Sequence, residues 1–233
     1  MSYFLYPEKI YIGTPATLTK EEAAHLLLSR RVKVGEQVEI QDATPSRFLC
    51  VITQLGKKEV TFNPLSQIAL PAAPKRNVHV YQALTAEQTL HVIIQKLTEL
   101  GAQSLHIFPS KHSPGKFSDQ KLPRWQRISL EAAKQSGRPL PLDIRLYPRP
   151  LTPHASTHAA VFLSQYAHDS LSALLSKTNT RTPIDLWIGP EGGWSPEETE
   201  KFTREKRATA HMGPYTLRAE TAAIVATAIA LNL

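Results

Sequence analysis

Apolar positions in this chain follow two different periods, and the change from one to the other divides it. Up to residue 65 they alternate with polar ones in short runs, Gln37 to Gln41, Arg47 to Gln54 and Lys58 to Leu65, separated by turn-like breaks. Period-two alternation with β-branched residues is the pattern of half-buried strands. One helix, roughly Lys20 to Arg31, interrupts them. A small β-barrel of about seventy residues fits this segment. The stretch Leu70-Pro71-Ala72-Ala73-Pro74-Lys75 reads as an extended linker, since two prolines among alanines cannot continue a helix. Domains are therefore placed at residues 1–71 and 76–233.

Beyond the linker, strands and helices take turns. Strands are expected at Asn77 to Leu84, Ser104 to Pro109, Ala159 to Ser164, Ile184 to Ile188 and Thr209 to Met212. Helices are expected at Glu87 to Leu100, closed by Gly101, and at Pro123 to Ser136, closed by Gly137. Two more follow, near Ser195 to Lys206 and Glu220 to Leu231. Such alternation predicts an α/β domain with a mainly parallel sheet covered on both faces. Arg149 to Thr157, rich in proline and threonine, reads as a loop.

Composition narrows the class. The 233 residues, 42% hydrophobic and 20% charged, are ordinary for a globular protein with a proper core. The single cysteine, Cys50, excludes a disulfide framework and a cysteine-based metal site, and its apolar strand makes it a core residue. No apolar run approaches the ~18 residues of a membrane helix, and Pro7, Glu8 and Lys9 interrupt the start where a signal peptide needs an apolar stretch. A cytoplasmic protein without a membrane partner is expected. His154 and His158 are four apart but lie in a proline-bearing loop, so no metal site is expected there. Net charge is +7, and between Pro109 and Arg149 nine Lys or Arg (among them Lys116) face three acids, a local +6. A basic footprint this concentrated suits a phosphate-bearing partner as well as a solvated surface.

The candidate chemistry lies in the last third. The apolar run Leu186-Trp187-Ile188 breaks into Gly189-Pro190-Glu191-Gly192-Gly193-Trp194 and restarts at Ser195-Pro196-Glu197-Glu198. Ser195 as N-cap, Pro196 at the first helical position and Glu198 three residues on form a capping-box signature. The glycines permit a sharp turn and a close ligand approach, and the turn is read as a ligand turn rather than a plain connection. A second turn, Met212-Gly213-Pro214-Tyr215-Thr216-Leu217, leads through Arg218, Ala219, Glu220 and Thr221 into an apolar helix. Glu220 suits the helix dipole, whereas a cation is disfavoured at a helix start, so the placement of Arg218 favours a role in a site. There is no Gly-x-x-x-x-Gly-Lys-Ser/Thr loop, no Gly-x-Gly-x-x-Gly after the domain's first strand and no Gly-x-Ser-x-Gly elbow.

Taken together, Ile188-Gly189-Pro190-Glu191-Gly192-Gly193 and Leu217-Arg218-Ala219-Glu220-Thr221-Ala222-Ala223 resemble the signature of the 16S ribosomal RNA uridine-N3 methyltransferases, the RsmE-type members of the SPOUT class. Ile94 to Gly101 resembles the family's helix after the first C-domain strand, and Glu131 to Arg138 its next helix end. His25 with Arg31 and Gly35 matches the spacing of its PUA-like, RNA-binding barrel. The chain departs from the family at Thr85, Gln88 and Leu90, and its Asp42-Ala43 stands where the family carries Asp-Gly.

The resemblance implies a C-terminal α/β domain with a deep trefoil knot, a homodimer, and S-adenosylmethionine as cofactor. It implies cofactor contacts from Leu163, Gly189, Pro190, Glu191, Gly193, Met212, Gly213, Thr216, Leu217 and Thr221, with the adenine near Met212 to Leu217. The implied reaction is methylation of N3 of a uridine in 16S rRNA or the small ribosomal subunit. Arg218 is then the expected cation beside the charge that develops on the uracil carbonyls, with Glu220 or Glu191 orienting it or taking the proton. RNA contacts are expected from His25, Arg30 and Arg31, from Lys111, from the basic stripe Arg124, Arg127 and Lys134 on the helix from Pro123, and from Arg138 after it. Two alternatives stand beside this reading: a SPOUT methyltransferase acting on another rRNA or tRNA site, and a noncatalytic RNA-binding ribosome-assembly factor.

Overall fold

A computed structural model describes residues 3–114, 118–151 and 158–233. Lys116 and His154 lie outside the described residues. The chain forms two compact units, Met1–Ala72 with Ala133–Leu140, and Ala73–Ala132 with Pro141–Leu233.

The first unit is built on five strands, β1 (Phe4–Leu5), β2 (Ala16–Thr19), β3 (Gln37–Gln41), β4 (Arg47–Leu55) and β5 (Glu59–Ile68), in the sheet order β1-β3-β4-β5-β2. Only β1 and β3 pair in parallel. The alternation works as expected: Val38 and Ile40, Phe48, Cys50 and Ile52, and Val60 and Phe62 point inward and share a core with Phe4, Leu18 and Leu26. Pro64, which cannot donate to a ladder, sits next to a register shift between Leu49 and Cys50. β1 and β2 are too short, and too poor in alternation, to stand out in the sequence. Asp42 organises the loop after β3, accepting from the amides of Ile10, Thr44 and Ser46. Burial opposes its charge, but these bonds and that from the Thr44 hydroxyl bring its pKa below the usual carboxylate value.

The helix expected over Lys20 to Arg31 is divided. An α-helical turn, α1 (Lys20–Ala24), passes into a π-helical segment over His25–Arg30 that ends at Arg31 with φ +52°. The wide turn closes with the Val32 amide donating to the Leu26 carbonyl (3.1 Å), which returns Val32 to the core while Arg30 and Arg31 stay exposed.

The second unit holds a six-stranded, wholly parallel sheet of β6 (Val78–Ala83), β7 (Ser104–Phe108), β8 (Asp143–Leu146), β9 (Ala159–Leu163), β10 (Ile184–Ile188) and β11 (Ala208–Ala210). Its helices are α2 (Glu87–Leu100), α3 (Leu122–Ser136), α4 (Leu171–Leu175), α5 (Pro196–Arg204) and α6 (Ala219–Asn232). Every residue of β7 and β10 is buried, as a parallel sheet covered on both faces requires. One face packs Val78, Val80, Leu105 and Leu186 against Leu90, Ile93, Ile94 and Leu97 of α2 and Ala223, Ala226 and Ala230 of α6. The small residues of α6 let its backbone approach the sheet. The other face is aromatic: Phe108, Phe162 and Trp187 with Phe202 of α5, Phe162 and Phe202 stacking at 3.5 Å between centroids. That face also carries a buried polar chain in which hydrogen bonds join His79 to Ser104, Ser104 to His106 and His106 to Tyr147.

Strand order is β11-β9-β10-β6-β7-β8. From β6 the chain builds outward through β7 and β8, then fills the other side of β6 with its last three strands. Direction therefore reverses between β6 and β10, and a crevice opens beyond the carboxyl ends of strands at such a switch point.

Candidate active site

Both glycine turns emerge at that edge, after β10 and β11, and hydrogen bonds tie the neighbouring loops together. Ser195 caps α5 as its spacing predicts: its hydroxyl accepts from the Glu198 amide (3.3 Å) and the Glu198 carboxylate accepts from the Ser195 amide (2.8 Å). The cap fixes where α5 begins, so Gly189 to Trp194 must close in a tight turn, and the Gly193 amide donates to the Pro190 carbonyl (2.9 Å). From β6, Gln82 projects its amide under the turn. Its nitrogen donates to the carbonyls of Ala83 (2.9 Å) and Gly189 (3.0 Å), with that of Ile188 at 3.5 Å. Three carbonyls around one end settle which end is nitrogen. The other end, Gln82 Oε1, is fully buried with no hydrogen-bond partner among the described residues.

Of the three residues expected to act in catalysis, Glu191 is exposed at the turn and accepts from the Ala86 amide through Oε1 (3.0 Å). Arg218 is the N-cap of α6, exposed, its carbonyl accepting from the Ala222 amide (2.8 Å). Glu220 is half-buried in the first turn of α6. Among the expected cofactor residues, Leu163 is buried and its carbonyl accepts from Trp194 Nε1 (3.2 Å). Gly189 and Pro190 carry the carbonyls just described, and Gly193 adopts φ +70°. Met212, Gly213, Leu217 and Thr221 are half-buried along the second turn, and the Thr216 hydroxyl donates to Gln165 in the loop after β9. The ties thus run from the β6 loop to the β10 loop, on to the β9 loop, and from there to the β11 loop.

The expected RNA-binding residues divide by what their charges already do. Lys134 is corrected: it is 4% exposed, its ammonium lies 2.7 Å from Glu22 and 5.8 Å from the Phe4 ring centroid, and it serves the first unit as a buried ion pair. The helical spacing that put it beside Arg124 and Arg127 was sound, but tertiary packing covers that end of α3. Arg124 and Lys121 share Glu87 (2.9 and 2.8 Å), Lys111 pairs with Glu197 (3.0 Å) and Arg30 with Glu36 (3.4 Å), all at exposed or half-exposed sites. Surface pairs of this kind are weak and give way to a phosphate. Arg31 and Arg127 are exposed, Arg138 is half-buried, and His25 is half-buried edge-on to Phe4 at 5.4 Å.

Sequence reasoning missed Gln82 and His112. His112, after β7, lies with Nδ1 3.2 Å from the carbonyls of both Gly192 and Gly193. Gln82 left a signal, a lone amide near the end of an apolar run; His112 left none. Of the departures from the family pattern, Leu90 is core and Thr85 is buried, while Gln88 is exposed. Among the described residues no group of three or more His, Cys, Asp or Glu could hold a metal, and His158 pairs with Asp185 (2.9 Å).

The sequence matches the RNA methyltransferase domain family over residues 72–231 and the RNA methyltransferase PUA domain family over residues 18–65. A protein of Aquifex aeolicus named ribosomal RNA small subunit methyltransferase E is 27% identical over 223 residues, 94% of this chain and 95% of its own length. The protein of the same name from Bacillus subtilis is 27% identical over 238 residues, 96% of this chain and 93% of its own. The crystal structure of the Neisseria gonorrhoeae ribosomal RNA small subunit methyltransferase E, bound to S-adenosyl methionine, shares the fold with a TM-score of 0.83 at 24% identity, over 98% of this chain and 95% of that one. With two thirds of its length accounted for by the first of these matches, the chain belongs to the RNA methyltransferase domain family.

Proposed function

We propose that this protein transfers the methyl group of S-adenosylmethionine to N3 of a uridine in 16S ribosomal RNA of the small ribosomal subunit, near the decoding site. The carrying observation is that the Gly189–Trp194 turn leaves β10 at the sheet's switch point, beside a buried Gln82 oxygen that has no partner among the described residues, and is linked through the loop after β9 to the second glycine turn. A buried acceptor left unmet costs free energy, and here that cost is borne beside the turn the reading assigns to the cofactor. The relatives named for ribosomal RNA methylation support the substrate, and the one solved with S-adenosyl methionine supports the cofactor.

The residues present fit that cofactor. Main-chain groups of Gly189 to Gly193 and Met212 to Leu217 would hold it, with Leu163 and Thr221 beside them. When bound, it supplies an electrophilic methyl carbon on a positively charged sulfur. The protein's part is to align that carbon with the base and to manage the uracil's charge. Arg218, exposed at the mouth of α6, would face the two ring carbonyls as N3 loses its proton. Glu220 orients that guanidinium or accepts the proton; Glu191 does so only by releasing the Ala86 amide. Arg31, Arg138, Arg30 and His25 of the first unit, and Arg127, Lys111 and Arg124 of the second, would each supply phosphate contacts.

The reading includes an RNA-binding domain at residues 1–71 and a methyltransferase domain at 76–233, the latter with a deep trefoil knot. Insertion of β10 between β9 and β6 supports the knot. A homodimer is supported by α6, which is apolar almost throughout yet leaves Ile224, Val225 and Ile229 half-buried. The work would be done in the cytoplasm, where ribosomes are assembled; no described helix is long and apolar enough to cross a membrane. The test is to incubate small ribosomal subunits from a strain lacking the gene with the protein and isotope-labelled cofactor. Mass mapping should then find labelled N3-methyluridine at one position. Label at another base or on a ribose would overturn the assignment.

A further inference from the structure

Gly192 and Gly193 are glycines for different reasons. Gly193 adopts φ +70° with nothing within 4 Å of where a Cβ would stand, so its backbone conformation is what excludes other residues. Gly192 has no positive φ; a Cβ there would lie 2.9 Å from the Cβ of His112. What Gly192 accommodates is therefore the close approach of the His112 side chain. His112 in turn places Nδ1 3.2 Å from the carbonyl oxygens of both Gly192 and Gly193. Carbonyls only accept, so Nδ1 carries the hydrogen, and the bond fixes the tautomer of the neutral ring. The segment is held on either side: Ser110 and Ser113 close a turn on each other, and the Lys111 amide donates to Glu198 in the cap of α5 (3.2 Å).

We infer that His112 is a positioning residue of the methyl-donor site, clamping the Gly189–Trp194 turn in its binding shape through Nδ1–H. The inference rests on the reading of that turn as the donor site. Two consecutive glycines in an exposed turn have large conformational freedom, and a donor that binds the turn must otherwise order it at binding. The Gln82 contacts hold the Gly189 end of the turn, the Gly193 amide bridges back to Pro190, and His112 holds the Gly192–Gly193 end from the loop after β7. Because His112 itself is exposed, the clamp contributes to the shape of the turn more than to global stability.

The experiment compares wild type, His112→Ala and His112→Asn, whose amide nitrogen can take the place of Nδ1. Two quantities are read: the dissociation constant for S-adenosylhomocysteine by calorimetry, and hydrogen exchange of the segment 189–194 in the unliganded protein. His112→Ala should bind about fivefold more weakly, the loss of one hydrogen bond, and exchange faster in that segment with an unchanged melting temperature. His112→Asn should restore both to within about twofold. Gly192→Ala, whose Cβ would displace the His112 side chain, should weaken binding at least as much as His112→Ala. Unaltered exchange and affinity in His112→Ala, or an asparagine variant as impaired as the alanine, would overturn the clamp. If wild type fails to bind S-adenosylhomocysteine, the donor-site reading falls, and a clamp left with no donor to position falls with it. Wild-type binding with an unaltered His112→Ala sinks the clamp alone.

Discussion

At the scale of single residues, side chains of one chemical type have been given opposite duties by their surroundings. Arg47 is 5% exposed, stacks its guanidinium 3.9 Å from the Tyr3 ring centroid and donates to the Gly137 carbonyl (3.0 Å), whereas Arg218 stands exposed at the start of a helix whose dipole repels it. The first is structural, and the second is the cation proposed to act on the uracil. Arg218→Ala should lower the methylation rate by two orders of magnitude or more, roughly the effect of removing one preorganised donor at a developing anion. Its affinity for S-adenosylhomocysteine should stay within about threefold of wild type, under one hydrogen bond's worth; a calorimetric loss as large as the kinetic one would assign Arg218 to cofactor binding instead. Lys134 supplies the contrast. Lys134→Ala removes one partner of a pair whose other member, Glu22, is only 21% exposed. Stability should fall on the order of 2 kcal/mol, less than for a fully buried pair, with little change in RNA affinity at a temperature where the variant is folded. Thermal melts and RNA titrations check the two halves separately.

At the scale of elements, α5 shows how a local signal places a site. Its capping box was legible as Ser-Pro-Glu-Glu, and the reciprocal bonds are present. Because the cap sets the first helical turn, it also sets the end of the glycine turn before it. Ser195→Ala should cost about 1 kcal/mol and should weaken binding of S-adenosylhomocysteine, whereas Ser195→Asp should retain both. Equal binding by wild type and the alanine variant would show that the turn holds its shape without the helix behind it. The parts of the pattern that escaped prediction are short or locally ambiguous. Strand β8 has four residues with one buried, and α4 has five, so neither offers enough periods to count. The π-helical segment at His25–Arg30 could not be foreseen either, since the sequence reads as a continuous helix and the wider turn answers to where Val32 must go.

At the scale of the molecule, charge and protonation are collective. His106 is 4% exposed on the aromatic face of the sheet; burial, helped by the Arg145 and His79 charges, pushes its pKa from 6.5 down to about 4. A histidine that folds neutral binds fewer protons than it does unfolded, so its contribution is complete above pH 6.5 and is lost as pH falls from there toward 4. The loss should be on the order of 3 kcal/mol, with the lowered pKa of His79 acting in the same direction. Urea titrations between pH 7.5 and 4.5 should show the decline in wild type and a shallower one in His106→Asn; parallel curves would remove His106 as the cause. RNA affinity carried by the proposed basic contacts should fall steeply with salt. Arg127→Ala should reduce the slope of log affinity against log salt by about one contact, and an unchanged slope would take α3 out of the interface.

The sequence by itself determined the α/β alternation, both glycine turns, the α5 cap and the family resemblance. Each is written in neighbouring residues or in a period short enough to be read along the chain. Tertiary structure alone decided which strands adjoin, and hence that the loops after β6, β7, β9, β10 and β11 meet at one edge. It decided that Gln82 would leave a buried oxygen there, that His112 would press on Gly192, and that Lys134 would turn inward to Glu22. Those outcomes depend on contacts between residues eighty to more than one hundred positions apart, and no local pattern encodes a separation that only packing brings to bonding distance.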